Sequence, residues 1–143
     1  MNSISGKRIL IVEDNSLIGE MIAETISEAG GWPLGPVLSE QEALDMIDYN
    51  PGNPDAAVLD MRLDDLSFDV ATRLQELGVP FIFASGSREE IPLHLRGVGI
   101  CHKPYTAHAL LEALDHAVRA KHPSNVPMTA PIGATTEVVS SLR

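Results

Sequence analysis

The sequence predicts an α/β fold: a doubly wound, five-stranded parallel sheet with helices on both faces. Three observations lead there. Short, nearly continuous apolar runs recur at residues 9–12, 56–59 and 80–84, the pattern of strands buried on both faces. Between them lie stretches with apolar residues at helical spacing, and strands alternating with helices imply right-handed crossovers and a parallel sheet. Each apolar run also ends in polar chemistry: Glu13-Asp14, Asp60, Ser85, and Lys103 after a weaker run around Ile100. In an open α/β sheet the functional crevice lies outside the carboxyl ends of the strands, so these side chains are expected along one edge.

Residues 7–12 form the first strand. Residues 15–29 place Leu17, Ile18, Met21, Ile22, Thr25 and Ile26 at helical spacing, an amphipathic helix. Asp14 or Asn15 can cap it, and Gly30-Gly31 ends it. Trp32–Val37 is a second strand, and its two prolines, Pro33 and Pro36, place it at an edge. Ser39 with Glu42 forms a capping box for a helix over Glu40–Asp48. Residues 51–54 are a turn. Ala56–Asp60 is the third strand, 61–67 a polar loop, and 68–77 a helix closed by Gly78. The fourth strand covers 79–84 and the fifth 98–102. A last helix covers 106–120, capped by Thr106.

The chain of 143 residues has room for one domain with a sizeable core. Its formal net charge of −10, with no basic cluster to offset it, excludes nucleic acid as a partner. Cys101 is the single cysteine, so no internal disulfide forms and a reducing compartment is expected. Residues 1–6 lack the apolar core of a signal peptide, and no run approaches the length of a membrane span. A soluble, cytoplasmic protein is expected. From His122 the composition turns to Pro, Ser, Thr, Asn and Gly, so 1–121 is read as the folded domain and 122–143 as a flexible tail. Residues 137–142 are an alternative edge strand or partner segment.

The ordered set Glu13-Asp14, Asp60, Ser85 and Lys103-Pro104 resembles that of the response-regulator receiver domains of two-component signalling. The resemblance runs from about Lys7 to Lys121. The stretch Pro80-Phe81-Ile82-Phe83-Ala84-Ser85-Gly86 further resembles the PFxFATGY motif of the FAT GUY subclass, with Ser85 for Thr and Ser87 for Tyr.

The resemblance implies a flavodoxin-like strand order, 2-1-3-4-5, and a phosphoacceptor role for Asp60. It implies Mg2+ held by Asp14, Asp60 and the backbone carbonyl of Arg62, with Glu13 acting through water. Lys103 would pair with a phosphoryl oxygen, Ser85 would bond the phosphoryl group, and Lys103-Pro104 would be cis. The implied partners are a histidine kinase and an unnamed downstream protein, with the chain a monomer or weak dimer.

Chemistry agrees with these roles. A carboxylate can attack a phosphoryl group directly, if the developing charge is neutralised and the attack held in line. Mg2+ binds through few carboxylates and takes phosphate oxygens. Asp14 as a helix cap, Asp60 as a solvated loop acid, Ser85 as a turn residue and Lys103 as a solvated amine are the plainer alternatives. His102 flanks Lys103 and is read as an ordinary strand-end residue, with a place lining the site as the alternative. Cys101 is read as a core thiol, and Trp32 as packing at the sheet edge.

Two departures stand out. The position three residues before the lysine, which the family fills with Tyr or Phe, is Ile100. The span from Ser85 to Lys103 contains Pro92, Gly97 and Gly99, so a shortened or loose fourth helix is expected. With no ring to swing, a change of order in residues 86–99 is the expected switch. A phosphorylation-independent pseudo-receiver is the competing binding module. A haloacid-dehalogenase-like phosphatase is the competing enzyme, but it wants a second Asp where Arg62 stands. A flavodoxin would need a hydroxyl-rich phosphate loop where Glu13-Asp14-Asn15 lies.

Overall fold

The computed structural model describes residues 3–49, 52–60, 67–85, 99–102 and 106–121. In chain order these form β1 (Arg8–Val12), α1 (Ser16–Glu28), β2 (Trp32–Val37), α2 (Glu40–Asp48), β3 (Ala56–Asp60), α3 (Ser67–Glu76), β4 (Phe81–Ser85), β5 (Gly99–His102) and α4 (Ala107–Lys121). All strand pairs are parallel. The order runs β2-β1-β3-β4, and β5 pairs with β4 through Ile82↔Gly99 to Ser85↔His102. The shortened fourth helix expected between β4 and β5 lies outside the described residues, as do the cis Lys103-Pro104 bond and the tail.

Local signals set the helix ends. Asn15 is the N-cap of α1, its Oδ1 accepting from the backbone N–H of Ile18 at 3.1 Å. Past the other end, Gly30 adopts φ +91° and Gly31 N–H donates to Ile26 O at 2.9 Å, the left-handed stop that glycine permits. Ser39 Oγ accepts from Glu42 N–H at 3.2 Å at the start of α2, and Thr106 Oγ1 accepts from Ala109 N–H at 3.0 Å at the start of α4. Each satisfies a donor that the first helical turn leaves open.

Strand alternation divides the core in two. Leu10, Val12, Ala57, Leu59, Phe81 and Phe83 face α2 and α3, which add Ala43, Ile47, Val70, Ala71 and Leu74. Ile9, Ile11, Ala56, Val58, Ile82 and Ala84 face α1 and α4, which add Ile22, Ile26, Leu110, Leu114 and Val118. Burial on both faces explains why the strands read as continuous apolar runs. Phe83 is edge-on to both Phe81 and Phe68, at centroid distances of 5.6 and 6.1 Å, a favourable aromatic geometry.

The N-terminal segment belongs to this body. Ile4 is 1% exposed within the α1–α4 core. Ser3 donates to Asp115 Oδ1 of α4 through its backbone N–H, at 3.1 Å, and through its hydroxyl. Gly6 N–H donates to Gly30 O at 2.9 Å.

One expectation is corrected and one refined. Of the apolar residues at helical spacing on α1, Ile22 and Ile26 are buried, but Leu17 and Met21 are 67% and 60% exposed. A helix lying on a sheet buries only part of its circumference, and Gly19 takes an inward position on α1. Trp32, read as packing, is 66% exposed at the start of the edge strand.

Candidate functional site

β1, β3, β4 and β5 end side by side. Val12 pairs with Leu59, so Glu13 follows β1 where Asp60 ends β3. Asp60 pairs with Ala84, Ala84 with Cys101, and Ser85 with His102. The backbone register therefore brings Glu13, Asp60 and Ser85 to one edge at nearly one level. Lys103, which follows His102 in sequence, and Arg62, two positions after Asp60, lie outside the described residues. Ile100, in place of the family's aromatic residue, pairs with Phe83.

The two adjacent acids differ in environment. Glu13 is 0% exposed, whereas Asp14 is exposed. Glu13 is held through its own backbone and its carboxylate. Its N–H donates to Val37 O at 3.0 Å, and its Oε2 accepts from the backbone N–H of Asn15 at 3.1 Å. Because Asn15 caps α1, the carboxylate of Asp14 is not committed to that task. A carboxylate taken wholly out of water is costly without compensating charge or hydrogen bonds.

The donor set tests whether Mg2+ fits. It is all-oxygen: a buried carboxylate, an exposed carboxylate and a third acid ending the neighbouring strand. Hard divalent cations prefer oxygen, and Mg2+ needs only one or two carboxylates besides water and phosphate oxygens. Among the described residues, no three or more His, Cys, Asp or Glu side chains form a metal cage, and Mg2+ does not require one. The residues present fit the ion.

The structure beside Glu13 rests on a pairing between strands that is not local in the sequence. β1 and β2 shift register between Leu10 and Val12, which pair with Leu34 and Val37. The extra residue is accommodated at Gly35-Pro36, a cis pair in which Gly35 has φ +109°. A Cβ on Gly35 would stand 2.6 Å from Val37 N and 2.9 Å from Ile11 O. The bulge presents Pro36 to Gly19 of α1. A glycine inside a helical pattern is the one trace of this contact in the sequence.

Scans of family models and of curated proteins find no match to this chain. Solved structures do match. SdrG from Sphingomonas melonis Fr1 is 30% identical, with a TM-score of 0.66 over 82% of this chain and 98% of that one. A CheY-like response regulator receiver domain from Methylobacillus flagellatus is 22% identical, with a TM-score of 0.66 over 79% and 99%. The response regulator PhyR from Brucella abortus is 22% identical, with a TM-score of 0.70 over 83% of this chain and 50% of its own. The chain thus spans about half the length of PhyR. The fold is that of these CheY-like α/β modules, and the chain belongs to the response-regulator receiver family. No helix among the described residues is long and apolar enough to cross a membrane.

Proposed function

We propose that the chain is a response regulator of two-component signalling that accepts a phosphoryl group on Asp60 from the phosphohistidine of a histidine kinase. The supporting observation is the register that sets Glu13, Asp60 and Ser85 along one sheet edge, with His102 paired beside Ser85. Asp14, Asp60 and the backbone carbonyl of Arg62, with Glu13 acting through water, would hold Mg2+, which would supply charge neutralisation for the phosphoryl group. An Asp60 carboxylate oxygen attacks phosphorus as the P–N bond breaks, and that electron pair leaves with the imidazole. The Lys103 ammonium and the Ser85 hydroxyl donate to the phosphoryl oxygens, and Ser85 then reports that the group is present. The likeness of Pro80-Phe81-Ile82-Phe83-Ala84-Ser85-Gly86 to the PFxFATGY motif supports assignment to the FAT GUY subclass. The output is a protein–protein contact.

Phosphorylation by a small-molecule donor such as acetyl phosphate tests this. The intact mass should gain one phosphoryl group in Mg2+ and none in EDTA, and Asp60→Asn should abolish the gain. An equal gain in Asp60→Asn would assign the phosphate elsewhere.

A further inference from the structure

Gly19 closes the first turn of α1 and is buried against the end of β2. A Cβ built on it would stand 2.4 Å from Cβ and 2.8 Å from Cγ of Pro36, and 3.5 Å from Cγ of Glu13. The first two separations lie inside van der Waals contact, and close-packed interiors absorb such overlap only by moving whole elements.

Neither element yields easily. Pro36 follows Gly35, which is wedged between Val37 N and Ile11 O. Val37 O in turn accepts from Glu13 N–H at 3.0 Å. On the other side, Asn15 binds the first turn of α1, accepting from Ile18 N–H at 3.1 Å and from Gly19 N–H at 2.9 Å. Asn15 N–H then donates to Glu13 Oε2 at 3.1 Å. The contacts close a ring: Pro36 to Gly19, Gly19 to Asn15, Asn15 to the Glu13 carboxylate, and Glu13 backbone to Val37, beside Pro36.

We infer that Gly19 and Pro36 are positioning residues for the acid pocket, fixing how closely the start of α1 approaches β2 and so where Asn15 holds the Glu13 carboxylate. The link to the cation rests on the function proposed above; the geometric link to Glu13 does not. Gly19 as a mere packing position predicts a loss of stability and nothing at Glu13. Gly31, beyond the opposite end of α1, is the matched control. A Cβ there would stand 2.8 Å from Ile26 Cγ2 and 3.0 Å from Ile4 Cγ2, and its three nearest atoms all belong to Ile26 and Ile4.

The full-length Gly19→Ala and Gly31→Ala variants separate these roles. Alanine in place of a helical glycine ordinarily stabilises; here both variants should melt lower than the parent. In metal-free protein, Gly19→Ala should move the Glu13 carboxyl carbon and Asn15 amide resonances, and Gly31→Ala should leave them in place. By calorimetric titration well below the melting temperature, Gly19→Ala should weaken Mg2+ binding about tenfold, the scale seen when a group orienting a ligand is lost. Glu13 and Asn15 resonances that match the parent in Gly19→Ala, or that move equally in Gly31→Ala, would overturn the positioning role. A parent protein that binds no Mg2+ would overturn the cation pocket instead, and the metal-free resonances would then decide the positioning role alone. Should Gly19→Ala not fold, Pro36→Ala probes the same contact from the strand side. Unmoved Glu13 and Asn15 resonances in that variant would likewise refute it.

Discussion

Replacing Ile4 by alanine measures whether the first residues are part of the folded body. Ile4 is 1% exposed and packs in the core between the sheet and helices α1 and α4. Its Cγ2 lies close enough to Gly31 that a Cβ there would stand at 3.0 Å. Removing a buried Ile side chain to Ala costs about 2–5 kcal/mol, the spread reflecting how far the site collapses. Ile4 lies in no helix or strand, so its segment can follow the cavity inward and the lower half applies, about 2–3 kcal/mol. For a chain of this size 1 kcal/mol shifts the melting temperature by about 3 °C. Ile4→Ala should therefore melt about 6–9 °C below the parent by circular dichroism, while Ser5→Ala, at an exposed position, should change little. A fall of less than about 2 °C, or one matched by Ser5→Ala, would refute the packing of this segment.

The other predictions concern the site, the bulge and acid stability. If Mg2+ binds only the folded chain, a tenfold excess over its Kd stabilises by about 1.4 kcal/mol. The melting temperature should then rise by about 3–6 °C, and Asp14→Ala should remove most of the rise; a parent melting curve indifferent to Mg2+ would count against the pocket. Gly35→Ala places a Cβ at φ +109°, against two backbone atoms, and should lower stability in urea by about 2–3 kcal/mol. A midpoint equal to that of the parent would show that the bulge relaxes freely. The Asp115 carboxyl is held below its ordinary range, chiefly by the Ser3 hydroxyl and also by Arg119. A lowered folded-state value favours the ionised carboxylate, so its stabilisation is present at neutral pH and lost as the pH falls through the carboxylate range. Ser3→Ala should lower the melting temperature at pH 7, and the gap from the parent should narrow by pH 3; a gap that widens in acid reverses the sign.

How much the sequence disclosed depends on whether a feature is local. α2 was legible to the residue because Ser39 caps it by accepting from the backbone N–H three positions on. β3 was legible because strands buried on both faces leave an unbroken apolar run ending at Asp60. The strand-end residues followed from the same pattern, since parallel strands all point one way. What stayed hidden depends on pairings distant in sequence. Nothing near Leu17 or Met21 shows that α1 leaves that side uncovered, and nothing near Ser3 points to Asp115, 112 positions away. The bulge at Gly35-Pro36 arises from pairing with β1, so its consequence for Gly19 emerges only in three dimensions. The difference between a buried Glu13 and an exposed Asp14 has the same origin, because adjacent acids are alike in a sequence and diverge only once the fold buries one of them.

The edge strand has a further consequence for how copies of this chain can meet. Trp32 N–H donates inward to Lys7 O at 2.7 Å, so the nitrogen of Pro33, one residue on, faces the open side of the sheet and has no hydrogen to offer. Two residues later the strand is kinked at Gly35. A second sheet approaching this margin would find an interrupted row of donors on a bent backbone, which blunts edge-to-edge growth into larger β assemblies. Along β2, association is thereby steered away from backbone pairing and toward side-chain contacts, whose chemistry can differ between one partner and the next.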